Sequence, residues 1–169
     1  MSEEIIIVDK EDNIIAYKDR YKLNPSDIYR VSALWLTNSK GDILLAQRSF
    51  DKKHHPGKWG PAVAGTVKKG QSYDDNILEE TAEEIGLKDV KLSKSFKKFN
   101  SGSYYHFTQW YTLVIDKNIN DFIIGQKEVA DIKWFTKEAI RKKLDEDPDF
   151  FTPYLKNYFE LFESNATNN

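Results

Sequence analysis

Gly65-Thr-Val-Lys-Lys-Gly-Gln-Ser-Tyr-Asp-Asp-Asn-Ile-Leu-Glu-Glu-Thr-Ala-Glu-Glu-Ile-Gly-Leu87 is the stretch on which the reading of this chain turns. It combines the end of a strand, a glycine-bounded loop and a helix. Ser72 can cap the helix through its hydroxyl, and Asp74 and Asp75 sit well in the positive first turn. Gly86 supplies a stop. On a 3.6-residue helix Glu80, Glu83 and Glu84 stand at i, i+3 and i+4 and share one side. Ile77, Leu78, Thr81, Ala82 and Ile85 fall roughly opposite, so the helix is expected to lay its apolar side on a sheet and turn its acidic side away.

Three aligned carboxylates admit two readings. Like charges at this spacing cost a few tenths of a kcal/mol per pair, which a solvated helix face tolerates. A hard divalent cation among them, Mg2+ or Mn2+, would remove that cost, and such ions are commonly shared with substrate phosphates. The spacing alone leaves both open.

Outward from this stretch, Ile5 to Val8 and Ile14 to Tyr17 flank the polar turn Lys10-Glu11-Asp12-Asn13 and predict an N-terminal hairpin within residues 1–18. Val31 to Leu36 and Ile43 to Gln47 read as strands joined by a turn, and residues 49–60 as an exposed loop rich in Lys, His, Pro and Gly. Val90 to Phe99, Tyr105 to Ile115 and Glu128 to Phe135 read as further strands, and Thr136 caps a helix running to about Leu144. Phe150, Phe151, Tyr154, Leu155, Tyr158, Phe159 and Phe162 form an aromatic face on a helix expected over 149–163, packed on the domain or on a second subunit in a homodimer. Residues 164–169 read as a frayed tail.

A chain of 169 residues suits one domain, here 1–169. With 25 basic and 27 acidic side chains the net charge is −2, so no global field draws the chain to a nucleic-acid polymer or an anionic membrane. The absence of cysteine removes disulfides, thiolate metal sites and cysteine nucleophiles. No stretch approaches the roughly 20 apolar residues of a membrane span, and no secretory leader is visible, which predicts a cytoplasmic protein.

The 65–87 segment resembles the Nudix box: Gly65, Glu80, Glu83, Glu84, Gly86 and Leu87 match its fixed positions in register. Leu44-Leu45-Ala46-Gln47-Arg48-Ser49 and His55-Pro56-Gly57-Lys58-Trp59-Gly60 look like the subgroup related to isopentenyl-diphosphate isomerase. The resemblance covers nearly the whole chain. It implies a Nudix α/β/α sandwich with a mixed sheet, to which the N-terminal β-hairpin is added. The residues alone reach only a mixed α/β domain.

The implied activity is metal-dependent hydrolysis of a diphosphate linkage in a small molecule such as a nucleoside diphosphate derivative. Gly65, through its carbonyl, with Glu80, Glu83 and Glu84 would hold Mg2+ or Mn2+. Glu83 or Glu84 is the first choice for the general base, with Glu128 second. Arg48 and Lys58 would meet phosphate, Arg48 because a guanidinium forks onto phosphate oxygens; a surface salt bridge is its other reading. His54 and His55 lack further ligands nearby in sequence for a metal, and Trp59 is expected to pack beneath its loop. Residues 50–60 and 96–110 would select the substrate. Three positions depart from the box: Gln71 and Glu79 stand where the family has glutamate and arginine, and Thr81 where it has an aliphatic residue. Glu79 is expected to repel the neighbouring glutamates, with Lys68, Lys69 or Lys88 able to replace the missing cation. The departures keep open a Nudix-fold binding module without efficient hydrolysis. An isomerase of isopentenyl diphosphate is disfavoured because that enzyme type uses a cysteine.

Overall fold

The structure, a computed structural model, describes residues 2–167. The chain forms two compact units, Met1–Trp35 with Val63–Leu113, and Leu36–Ala62 with Val114–Asn169.

In the first unit, β1 (Glu4–Val8) and β2 (Ile14–Asp19) make the expected antiparallel hairpin. Its turn is tied by Asp9, whose carboxylate accepts the N–H groups of Glu11 and Asn13, both at 2.9 Å. Ile5, Ile6, Ile7 and Val8 are all buried, so β1 is a core strand, while β2 leaves Ile14, Ile15 and Tyr17 exposed. β3 (Ile28–Thr37) contributes its residues up to Trp35 to this unit and pairs antiparallel with β6 (Val63–Thr66), setting Ser32 opposite Gly65. α1 (Tyr73–Ile85) follows. Ser72 caps it with a reciprocal pair: its hydroxyl accepts the Asp75 N–H at 3.1 Å, and the Asp75 carboxylate accepts the Ser72 N–H at 3.0 Å. Gly86 closes it in the left-handed region at φ +71°, with its N–H on the Ala82 carbonyl. β7 (Ser93–Ser101) and β8 (Tyr105–Val114) form a second hairpin, β7 running past the expected end at Phe99 to Ser101.

In the second unit, β4 (Ile43–Arg48) is central, pairing antiparallel with β5 (Trp59–Pro61) and β9 (Val129–Phe135). Thr136 caps α2 (Lys137–Glu146) by accepting the Ala139 N–H at 3.1 Å. The last helix, α3 (Leu155–Thr167), begins later than the expected residue 149. A short 3₁₀ turn at Pro148–Phe150 precedes it, and Pro153 disfavours helical geometry at Thr152, whose N–H instead reaches the Trp59 carbonyl at 2.8 Å. Phe150 and Phe151 therefore leave the helical stripe. Phe150 stacks on Trp59 with ring centroids 5.8 Å apart, and Phe151 bridges to Trp59. Leu155, Tyr158 and Phe159 are buried within the single chain, so these residues of the aromatic face serve the core. Of the predicted tail, residues 164–167 continue α3, and Asn168 and Asn169 lie outside the described residues. Among the described residues no helix is long and apolar enough to cross a membrane.

Candidate active site

Gly65 and Glu80 meet closely. A Cβ on Gly65 would lie 2.4 Å from Cγ and 2.5 Å from Cδ of Glu80, an approach that only glycine permits. Glu84 is 8% exposed, and its carboxylate accepts the Ala64 N–H at 3.3 Å. Glu83 is exposed. The acidic side is thus not turned away as expected. Glu80 and Glu84 share the stripe of Tyr73, Asn76, Ile77 and Thr81, at spacings of three and four, whereas Leu78 is 47% exposed. Asn76 and Glu84 find partners on β6, at the Thr66 carbonyl and the Ala64 N–H, which makes their burial tolerable, whereas the buried Thr81 hydroxyl has no partner among the described residues.

Asn76, fully buried at 0% exposure, organises this side. Its oxygen accepts the Ser32 hydroxyl at 2.5 Å, and its amide donates to the Thr66 carbonyl at 3.2 Å, to Gln71 Oε1 at 3.1 Å and to Glu80 Oε1 at 3.5 Å. Sequence reasoning passed over it. The available signal was an asparagine in the second helical turn, where its helix propensity is poor, four residues before Glu80. Glu79 does not stand unpaired against its neighbours: Lys68 Nζ lies 2.8 Å from its Oε1, and the Gln71 amide donates to its Oε2. Of the three lysines considered as substitutes, Lys68 reaches Glu79, while Lys69 pairs with Glu4 at 2.6 Å.

Burial raises the Glu80 pKa first of all, and the charges of Glu83, Glu79 and Glu3 push the same way against the pull of Lys68. Lys68 is raised in turn, chiefly by its hydrogen bond to Glu79. Among the described residues no cation pairs directly with Glu80, and no three His, Asp or Glu side chains converge into a ready-made metal cluster. The donor set of carboxylates and a backbone carbonyl nevertheless fits a hard dication. Such an ion would relieve the charge that Glu80 now carries unfavourably, with its remaining ligands coming from outside the protein.

The second unit gathers the other predicted residues on the loop after β4. The Arg48 N–H donates to the Lys58 carbonyl at 2.9 Å, and Arg48 Nε donates to the His54 carbonyl at 2.9 Å. Gly57, at φ +72°, lies under the Phe50 ring, which a Cβ would approach to 2.7 Å. Glu128, one residue before β9, accepts the Ser49 N–H through its carbonyl at 3.0 Å, and its carboxylate is ion-paired with Lys52, a partner the sequence did not single out. Lys58 Nζ lies 3.7 Å from Asp149. The His55 pKa is lowered, first by the burial its loop does provide and then by the charges of Arg48, Lys58 and His54. Trp59 is buried, as expected.

The first unit thus carries a glycine-cradled carboxylate helix, and the second a cationic loop. The NUDIX domain family model matches residues 28–155, a span that draws on both units, and the chain belongs to the Nudix hydrolase family. It is 32% identical over 149 residues to an uncharacterized Nudix hydrolase of Listeria innocua, covering 86% of this chain and 85% of that one. It is 24% identical to an isopentenyl-diphosphate Delta-isomerase of Citrobacter koseri, over 90% of this chain and 88% of the relative. The crystal structure of DR0079 from Deinococcus radiodurans has a similar fold, with a TM-score of 0.80 and 21% identity, covering 94% of this chain and 98% of that one.

Proposed function

We infer that this chain, working as one Nudix domain, hydrolyses a diphosphate linkage in a nucleoside diphosphate derivative or related small molecule with the help of Mg2+ or Mn2+. The observation that carries this reading is Glu80, a half-buried carboxylate under Gly65 whose surroundings oppose its charge. Glu80, Glu83, Glu84 and the Gly65 carbonyl are the proposed ligands. The cation, when bound, supplies charge neutralisation on the phosphates and acidifies a water.

The protein's own residues do the rest. Water attacks phosphorus, the bridging P–O bond breaks, and the water's proton passes to a carboxylate. Glu83, exposed, is the proposed base, with Glu84 an alternative held by the Ala64 N–H. Glu128 is a weaker candidate because Lys52 already neutralises it. Arg48 and Lys58 would receive phosphate oxygens, a guanidinium being well shaped to fork onto them; Arg48 Nε is bonded to the His54 carbonyl.

Incubation with Mg2+ or Mn2+ and a panel of nucleoside diphosphates, triphosphates, nucleotide sugars and dinucleoside polyphosphates tests this. Release of phosphate and nucleotide is expected to exceed that of a Glu83→Gln, Glu84→Gln control by about 10²- to 10⁴-fold on at least one compound. Equal release on all of them would leave a nucleotide- or metal-binding module and end the hydrolase reading.

A further inference from the structure

The two main departures from the box, Gln71 and Glu79, are in contact with each other and with Lys68. Gln71 Oε1 accepts the Lys68 N–H at 3.3 Å and the Asn76 amide at 3.1 Å, which leaves its own amide as the group that faces Glu79. A glutamate at position 71 would set a second carboxylate against Glu79. Lys68 supplies the cation of the group, 2.8 Å from Glu79 and 3.5 Å from Glu3. The three side chains therefore form one interdependent set rather than two separate losses.

This set adjoins Glu80. Glu79 is its chain neighbour, and Asn76, which reaches Glu80 Oε1 at 3.5 Å, is itself held by Gln71 and by Ser32 at 2.5 Å. Lys68 and Gln71 thus clamp the second turn of α1 to the loop that precedes the helix, beside the close approach of Glu80 to Gly65. The geometry points to Lys68 as a positioning residue for Glu80, acting through Glu79 and Gln71. This assignment rests on the hydrolase reading for its consequence, but the clamp itself is a property of the protein without substrate.

Lys68→Met keeps most of the stem and removes the charge. In the full chain it is expected to lower kcat about 10- to 100-fold with KM within about twofold, because a misplaced ligand carboxylate costs the chemical step more than substrate binding. Lys68→Arg should retain at least half the activity. Lys68→Glu should fall at least as far as Lys68→Met, and the exchange Lys68→Glu with Glu79→Lys should recover about tenfold of the loss. In parallel, hydrogen exchange of the metal-free protein should show amides of residues 79–84 opening faster in Lys68→Met and returning toward wild type in the exchanged pair. A kcat within twofold of wild type in Lys68→Met, or no recovery in the exchanged pair, would overturn the proposal. Should the wild type hydrolyse nothing on the panel, the hydrolase reading falls by itself, and unchanged exchange rates at residues 79–84 would separately overturn the clamp.

Discussion

The regions around Glu80 and around Arg48 are built with opposite charge and opposite completeness. Near Glu80 the charges of Glu83, Glu79 and Glu3 all oppose its ionisation, and Lys68, whose charge favours it, is bound to Glu79. Near Arg48 the order is reversed: Lys52, Lys53 and Lys58 accompany it, and the acids in contact with them, Glu128 and Asp149, are already paired. On the proposed function, an added cation would complete the first region and an added anion the second. A diphosphate with its divalent ion carries both signs, so each region, taken on its own chemistry, asks for the same class of ligand.

Gly65→Ala should have the largest effect of any single change in these two regions. The new Cβ would lie 2.4 Å from Glu80 Cγ, so the Glu80 side chain has to rotate away. Because a side chain rather than backbone yields, stability should fall by only about 1 kcal/mol. Activity should fall about a thousandfold, roughly 4 kcal/mol of transition-state stabilisation. Arg48→Ala, by contrast, should act mainly on KM. Steady-state kinetics and urea denaturation on both variants separate these effects, and a Gly65→Ala enzyme with unchanged kcat would remove Glu80 from the site.

Much of the first region was legible in the sequence, and the reason is that its signals are local. Ser72, Asp75 and Gly86 act on backbone groups within a few residues, so the ends of α1 follow from chain chemistry alone. The burial of Glu84 and the Gln71 contact of Glu79 were not legible, and Lys68 was one of three lysines among which the sequence could not choose. Lys68 and Gln71 approach Glu79 across a loop, and Glu84 is buried because β6 offers the Ala64 N–H. Helical spacing ranks faces by polarity and missed that a stripe containing two glutamates and Asn76 could be the packed one. At the other end, an aromatic periodicity running through Phe150 and Phe151 outweighed the warning of Pro153, and α3 starts six residues later than the pattern implied.

Acid should separate the units next. His106, in the first unit, stacks on Tyr29 at 5.4 Å, and burial lowers its pKa from 6.5 to about 4. The unfolded chain takes up this proton near pH 6.5, the folded chain only near pH 4. The stabilising difference is therefore fully present above pH 6.5 and is lost as pH falls toward 4, by about 3 kcal/mol at most. His55, in the second unit, is shifted in the same direction but is exposed, so it adds little. Urea denaturation between pH 7 and pH 4 should show this decline, and His106→Phe should flatten it. A wild-type profile that is already flat would mean that His106 is not desolvated in the folded chain.

The smallest expected effect tests whether Glu128 is a structural partner or a reserve base. Its ion pair with Lys52 is partly exposed, with side chains 26% and 42% accessible, so Lys52→Met should cost less than about 1 kcal/mol of stability. The Glu128 backbone stays anchored, because the bond from Ser49 to its carbonyl does not involve the side chain. Loss of the lysine leaves the loop with one cation fewer and releases the Glu128 carboxylate. Two consequences then pull apart. If the loop serves as the anion region, KM should rise about two- to fivefold, and more at low ionic strength than at high, because screening shortens the reach of the remaining charges. If Glu128 accepts the proton instead, its release should raise kcat, and Lys52→Met combined with Glu128→Gln should lose that gain. A KM rise with kcat unchanged keeps Glu83 as the base and leaves Glu128 as the residue that holds Lys52 in place.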